Sequence, residues 1–153
     1  MQIQLADINM LTIDSMFELA IELRNKGELK KSINILNEIL DNYQIDDKTY
    51  GIHAVLGGIH IDLGENNKAL ENYQKATKLN PESELSSLGL YLTLAKLNKD
   101  VEAIYELMRY LKCNPAYLYK DTLEELLEGL KEGYMTNYEN EIRKLAKENG
   151  VES

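Results

Sequence analysis

The sequence predicts an all-α fold, a stack of helix pairs closed by two further helices. Three observations carry that expectation. Apolar residues recur at helical spacing along most of the chain, as in Leu29, Ile33, Leu36 and Leu40. Small residues and helix breakers repeat at a step of 34 residues, with Ala69 answered by Ala103 and Pro81 by Pro115. No segment sustains polar–apolar alternation, and 2 prolines and 9 glycines are too few for the turns of a many-stranded sandwich.

Taken in order, each pair reads as helix, turn, helix. The turns are Asn25-Lys26-Gly27, Gly64-Glu65-Asn66-Asn67 and Asn98-Lys99-Asp100, built from residues that tolerate the left-handed conformation ending a helix. In the second helices, Leu70, Tyr73 and Ala76, then Ile104, Leu107, Met108 and Leu111, again fall at helical spacing. Ala69, Ala103 and Ser32 sit where paired helices must approach closely. Pro81 and Pro115 end second helices, since proline donates no intrahelical hydrogen bond; Gln44 stands at the matching place in the first pair. The helix with Leu85, Leu88, Leu90, Tyr91, Leu92, Leu94 and Leu97 is apolar nearly all round, and burial on both sides is expected for it. Beyond residue 118, Thr122 with Glu125 and Thr136 with Glu139 read as capping boxes. Leu123, Leu126, Leu127, Leu130 and Tyr134 form one stripe, and Tyr138, Ile142 and Leu145 another. Gly133 and Gly150 are placed as helix stops.

The clearest segment is His53, Leu56, Gly57, His60, Gly64, Ala69, Tyr73, Ala76 and Pro81. It follows the tetratricopeptide repeat signature position for position, with histidines where that signature has Trp and Tyr. The chain therefore resembles the tetratricopeptide repeat family. The resemblance implies a right-handed helical solenoid over residues 1–153 as a single domain, with repeats near 13–46, 50–83 and 84–117 and capping helices over about 118–150. In the third repeat Leu88-Gly89 lies two residues earlier than the register of Ala103 and Pro115 requires. Family members hold peptides or helices in a groove lined by their first helices. Carried over, the groove positions are Phe17, Ile21 and Arg24, then Ala54, Gly58, Ile61 and Asp62, then Leu85, Leu88, Leu92 and Lys96. Such a floor is apolar with a small-residue strip, and Arg24, Asp62 and Lys96 fall at its rim. A partner segment or the chain's own terminus are the two alternatives for its occupant. The clamp with which some members grip acidic chaperone tails is replaced here by Phe17, Ile21, Val55, Leu85 and Gly89, none of which binds a carboxylate through its side chain.

Composition narrows the function. A net charge of −9 disfavours a nucleic-acid partner; it either favours a basic protein partner or serves solubility. Residues 1–14, with Asp7 and Asp14 and no basic stretch, do not read as a secretory signal, and no apolar run is long enough to cross a bilayer. A cytoplasmic setting, with Cys113 a free thiol, is the expectation. His53, His60 and Asp62 are too few and too mixed for a zinc site, and the histidines occupy packing positions. Cys113, near a helix carboxyl terminus with no histidine beside it, does not read as a nucleophile. Glu124, Glu125 and Glu128 read as a solvated face. Tyr105, Tyr110, Tyr117, Tyr119, Tyr134 and Tyr138 read as packing between the third repeat and the cap. No enzyme, metal or cofactor site is expected. The expectation is a non-enzymatic scaffold or adaptor for a protein or peptide. The alternative is an inhibitor or immunity protein that neutralises an enzyme or toxin, a role small acidic bacterial repeat proteins resemble. Self-association is a further open alternative.

Overall fold

A computed structural model describes residues 12–43 and 48–152. Asp7, Gln44 and the last residues of the expected first repeat, 44–46, lie outside the described residues. The described residues are mostly helical, with no strand among them. The helices are α1 (Ile13–Asn25), α2 (Leu29–Asn42), α3 (Thr49–Asp62), α4 (Asn66–Leu79), α5 (Glu84–Lys96), α6 (Asp100–Leu111), α7 (Tyr119–Lys131) and α8 (Glu139–Glu148). They fall into two compact units, one ending at Leu79 and the other beginning at Asn80.

In the first unit, α1 pairs with α2 and α3 with α4. Met16 and Ala20 from α1, Ile35, Leu36 and Ile39 from α2, and Ile52, Leu56 and Ile59 from α3 form one buried cluster. The two turns have one geometry. Gly27 and Gly64 take φ of +80° and +73°. The next N–H, of Glu28 or Glu65, then bonds the carbonyl of Leu23 at 2.9 Å or of His60 at 2.8 Å. That bond satisfies a carbonyl the helix end would leave free. Ala69 is fully buried, as its place at a close helix contact requires. Ser32, equally buried, stands at the corresponding position of α2, and its hydroxyl donates to the Ala20 carbonyl at 2.7 Å. The hydroxyl is thereby satisfied across the helix pair.

In the second unit, α5 pairs with α6 and α7 with α8. Asn98 takes the left-handed turn position at φ +58°, and Lys99 N–H bonds the Leu94 carbonyl at 2.9 Å. Gly133 and Gly150 close α7 and α8 in the same way. Ala103 is buried beside Ile104 and Leu107. In α5 the buried residues include Leu90 and Tyr91, which stand at the step of 34 from Leu56 and Gly57. That burial is compatible with the register of Ala103 and Pro115; Leu88 and Gly89 are only half-buried.

Several sequence expectations are corrected here. The helix α5 is not covered on both sides: Leu85 is 63% and Leu92 48% exposed, while Ser86, Ser87 and Thr93 are buried. Those three polar side chains go inward because each has a partner. Ser86 bonds Ser83, Ser87 bonds Glu106 and Tyr119, and Thr93 donates to the Gly89 carbonyl. Thr122 caps nothing; it is buried inside α7, whose helix begins at Tyr119. The cap comes from another helix instead. Glu84 Oε1 on α5 accepts from the backbone N–H of Tyr117 at 2.7 Å and Tyr119 at 3.0 Å. Thr136 likewise makes no capping box. It opens a 3-10 turn, Thr136–Tyr138, preceded by Met135 at φ 57°. Tyr134 leaves the α7 stripe and is exposed, with its ring beside Gly129. Cys113 lies just past the end of α6 and is exposed.

The closing helices are held by tyrosines, as expected for four of the six named. Tyr119, fully buried, lies edge-on to Tyr91 with ring centroids 6.0 Å apart, and 5.6 Å from the ring of Tyr110. Tyr105 and Tyr138 form a second edge-on pair. Tyr117 is exposed. Beneath Tyr119 runs a polar chain. Its hydroxyl and Ser87 Oγ are 2.8 Å apart, Ser87 donates to Glu106, and Arg109 holds both oxygens of Glu106 while donating to the Pro81 carbonyl. Burial pushes the Tyr119 hydroxyl well above the ordinary tyrosine range, so it stays protonated in this network. The Asn149 side chain accepts from the Ala116 N–H at 2.8 Å, tying the end of α8 to the segment before α7.

Candidate functional site

Three first helices, α1, α3 and α5, carry the positions expected to bind. In the first unit, Phe17 packs against the buried cluster and is half-buried, as are Ile21 and Ile61. Ala54 is buried and offers little surface. Asp62 is exposed at the end of α3. The small-residue strip is occupied differently from the expectation. The ring of Tyr73, from α4, seats directly on Gly57, so closely that a β-carbon there would lie 2.7 Å from it. Gly57 thus has no side chain because the second helix needs the space. At Gly58 a β-carbon would lie 3.3 Å from Arg24 Nη2 and 3.5 Å from the Tyr73 hydroxyl oxygen. Arg24 is therefore not at the rim: it reaches across from α1 and lies over Gly58.

The histidines behave as packing residues with polar edges. His53 Nδ1 is 3.1 Å from Asn72 Oδ1 on α4. His60 is buried, its Nδ1 3.7 Å from Glu65, beyond hydrogen-bond reach. Glu65 itself is held below the usual carboxylate range chiefly by its bond to Lys68. Among the described residues no three histidine, cysteine or acidic side chains are grouped to hold a metal ion.

In the second unit, Leu85, Leu88 and Leu92 lie on one face of α5 at helical spacing, with exposed Lys96 one turn on. Leu85 and Leu92 are exposed and Leu88 half-buried. The unit also carries an acidic surface that groove reasoning did not single out. Asp121, Glu124, Glu125, Glu128, Glu132 and Glu152 line a cavity of about 700 Å³ along α7. Its signal in the sequence was the run of acids at spacings of three and four, read as a solvated face.

The decisive local geometry is that of residues 50–83. Two helices turn at Gly64, Ala69 is buried, Tyr73 sits on Gly57, and Pro81 follows the second helix. The tetratricopeptide repeat pattern matches this same span, residues 50–83. Residues 50–83 form a tetratricopeptide repeat. Over 64 residues it is 39% identical to the Protein CTR9 homolog of Arabidopsis thaliana, a match covering 42% of this chain and 6% of that protein. The chain spans only that small part of its relative's length. Tetratricopeptide repeats are in general non-enzymatic modules of protein–protein interaction. No described helix is long and apolar enough to cross a membrane.

Proposed function

We propose that this protein works as a single non-enzymatic scaffold or adaptor domain, taking a peptide or helix of a protein partner on the first-helix faces of its repeats. One observation carries the reading: α5 presents Leu85 and Leu92 to solvent, two turns apart on one face, while its opposite face is packed. Two large apolar side chains aligned this way gain free energy once a partner covers them, roughly 1.5–3 kcal/mol for each leucine fully buried, before ordering costs. A cytoplasmic setting fits an exposed Cys113 thiol.

The test is site-specific photo-cross-linking in the native organism. A photoreactive residue at Leu92 or Ile21 is expected to trap one protein, and the same residue at exposed Glu71 on α4 to trap none. Equal capture from Glu71, or none from Leu92, overturns the assignment. A product at twice the chain's mass assigns the face to a second copy.

The acidic surface along α7 supports a second reading, a specific inhibitor of a basic enzyme or toxin. It expects the trapped partner to be basic and to lose activity when the two are mixed. A partner whose activity is unchanged excludes it.

A further inference from the structure

We infer that Asn149–Gly150 is a site of spontaneous deamidation, held shut by the fold, whose product releases the end of α8 from the segment before α7. The inference stands apart from any partner. It starts from the sequence: of the asparagines in the chain, only Asn149 is followed by glycine, and Asn80 and Asn114 precede prolines, which have no N–H to react. The reaction needs only base and water. The Gly150 backbone nitrogen, its proton lost to base, attacks the Asn149 side-chain carbonyl carbon. A carbon–nitrogen bond forms, the bond to the side-chain nitrogen breaks, and ammonia leaves. Water then opens the cyclic imide at one of its two carbonyls, giving aspartate or isoaspartate at position 149. Glycine favours the attack because no side chain shields its nitrogen or restricts its backbone.

The fold withholds each requirement of that attack. Asn149 Oδ1 accepts from the Ala116 N–H at 2.8 Å and Nδ2 donates to the Leu145 carbonyl at 2.8 Å, so the side-chain amide is held at both ends. The Gly150 N–H is itself bonded to the Lys147 carbonyl at 3.1 Å. The Asn149 ψ of 11° turns the Gly150 nitrogen toward the backbone nitrogen of Asn149 and away from its side chain. Val151 fastens this turn, with its side chain buried and its N–H bonded to the Ala146 carbonyl at 2.8 Å. The lock is nevertheless local. Lys147, Glu148 and Gly150 are exposed and Asn149 is half-buried at the end of a helix of 10 residues, where opening costs least. One opening frees the side chain and the nitrogen together.

The product does not fit the lock it came from. Aspartate keeps an acceptor for Ala116 but loses the donor to Leu145, sets a second oxygen beside that carbonyl, and adds negative charge at the negative end of α8. Isoaspartate carries the main chain through the side-chain carbon, so the acceptor at Ala116 and the turn at Gly150 cannot both be kept. The N–H of buried Ala116 is then left without its partner. The change is one-way, because ammonia has left.

The experiment incubates the full chain at mildly alkaline pH, folded and unfolded in urea, and follows position 149 by peptide mapping with separation of isoaspartate. The unfolded chain is expected to deamidate there, and the folded chain ~10–100-fold more slowly. Exposed Asn140, followed by Glu141, should stay intact over the same time. Val151→Ala loosens the turn and should speed the folded reaction ~3–10-fold. The aged chain, separated by its added charge, and the mimic Asn149→Asp should both melt about 2–4 °C lower and exchange the Ala116 amide faster; Asn140→Asp, with the same added charge, should do neither. No reaction at 149 in the unfolded chain would remove the site. An equal rate in the folded chain, or an unchanged rate in Val151→Ala, would show that the fold does not hold it shut. Wild-type melting and Ala116 exchange in both the aged chain and Asn149→Asp would show that the product releases nothing.

Discussion

Removing the Glu84 carboxylate should loosen α7 from α5 although the two helices are far apart in sequence. One oxygen of Glu84 accepts the N–H groups of Tyr117 and Tyr119, at 2.7 and 3.0 Å. These belong to the first turn of α7 and the residues leading into it, where backbone donors have no intrahelical partner. The carboxylate also faces the positive end of the helix dipole. A hydrogen bond to a charged group contributes about 1.5–3 kcal/mol, and a capping side chain about 0.5–2 kcal/mol. Both bonds share one oxygen and Tyr117 is exposed, so they do not add in full. We expect Glu84→Ala to cost ~2–3 kcal/mol. Glu84→Gln keeps an acceptor and loses the charge, and should cost about 1 kcal/mol.

The assay is the thermal midpoint together with amide exchange. For a chain of this size ~2–3 kcal/mol lowers the midpoint by about 5–10 °C. Exchange at the Tyr119 amide should accelerate more than exchange at Leu36, which lies in the other unit. Glu124→Ala, an exposed acid on α7 itself, serves as control and should stay within about 0.5 kcal/mol. If Glu84→Ala behaves like Glu124→Ala, or if Tyr119 exchange does not change, the cross-helix cap does not hold α7.

Further outcomes test the packing. Ala69→Leu and Ala103→Leu should each cost ~1–3 kcal/mol in a denaturant titration, because both sites are closed at the helix contact; unchanged midpoints would sink the repeat register. Gly57→Ala should destabilise the first unit, since its β-carbon meets the Tyr73 ring at 2.7 Å. Gly58→Ala should be nearly neutral, because the flexible end of Arg24 can yield and the helix gains about 1 kcal/mol in propensity. The reverse order of stabilities would contradict the seating of Tyr73. Tyr119 and Tyr91 have hydroxyls raised by burial from an ordinary value of 10.0. The unfolded chain therefore loses those protons first, and stability present below about pH 10 should decline as pH rises past it. Tyr119→Phe should flatten that decline in urea midpoints taken between about pH 9 and 11; an identical slope would show that Tyr119 does not contribute to it.

The helices were legible because their signals are local. Gly27, Gly64 and Asn98 mark turns by what their backbone tolerates, and Ala69 and Ala103 mark close contacts by their size. What the sequence concealed are bonds between residues far apart along the chain. Thr122 has the spacing of a capping box, yet a carboxylate 35 residues before Tyr119 supplies the cap, and no local pattern reports that. The same holds for α5. Counting its leucines suggested burial all round, but Ser86, Ser87 and Thr93 each find a partner inside. A polar group with its bond made can be buried at little cost. Once they hold the inner face, helical geometry turns Leu85 and Leu92 outward.

The candidate site shows the same division. The glycines were read as one open strip, and the helix on which they lie was placed correctly. Their neighbours come from other helices, and these give the two adjacent glycines opposite roles. Gly57 makes room for Tyr73 and belongs to the interior. Gly58 makes room for the Arg24 guanidinium and the Tyr73 hydroxyl, which lie where its side chain would stand. The difference between the two glycines lies in what the second helix and the preceding pair send over each. A sequence pattern fixed on the first helix alone sees two glycines in a row. The exposed leucines of α5 and the guanidinium lying over α3 are thus distinct kinds of surface, one apolar and one cationic.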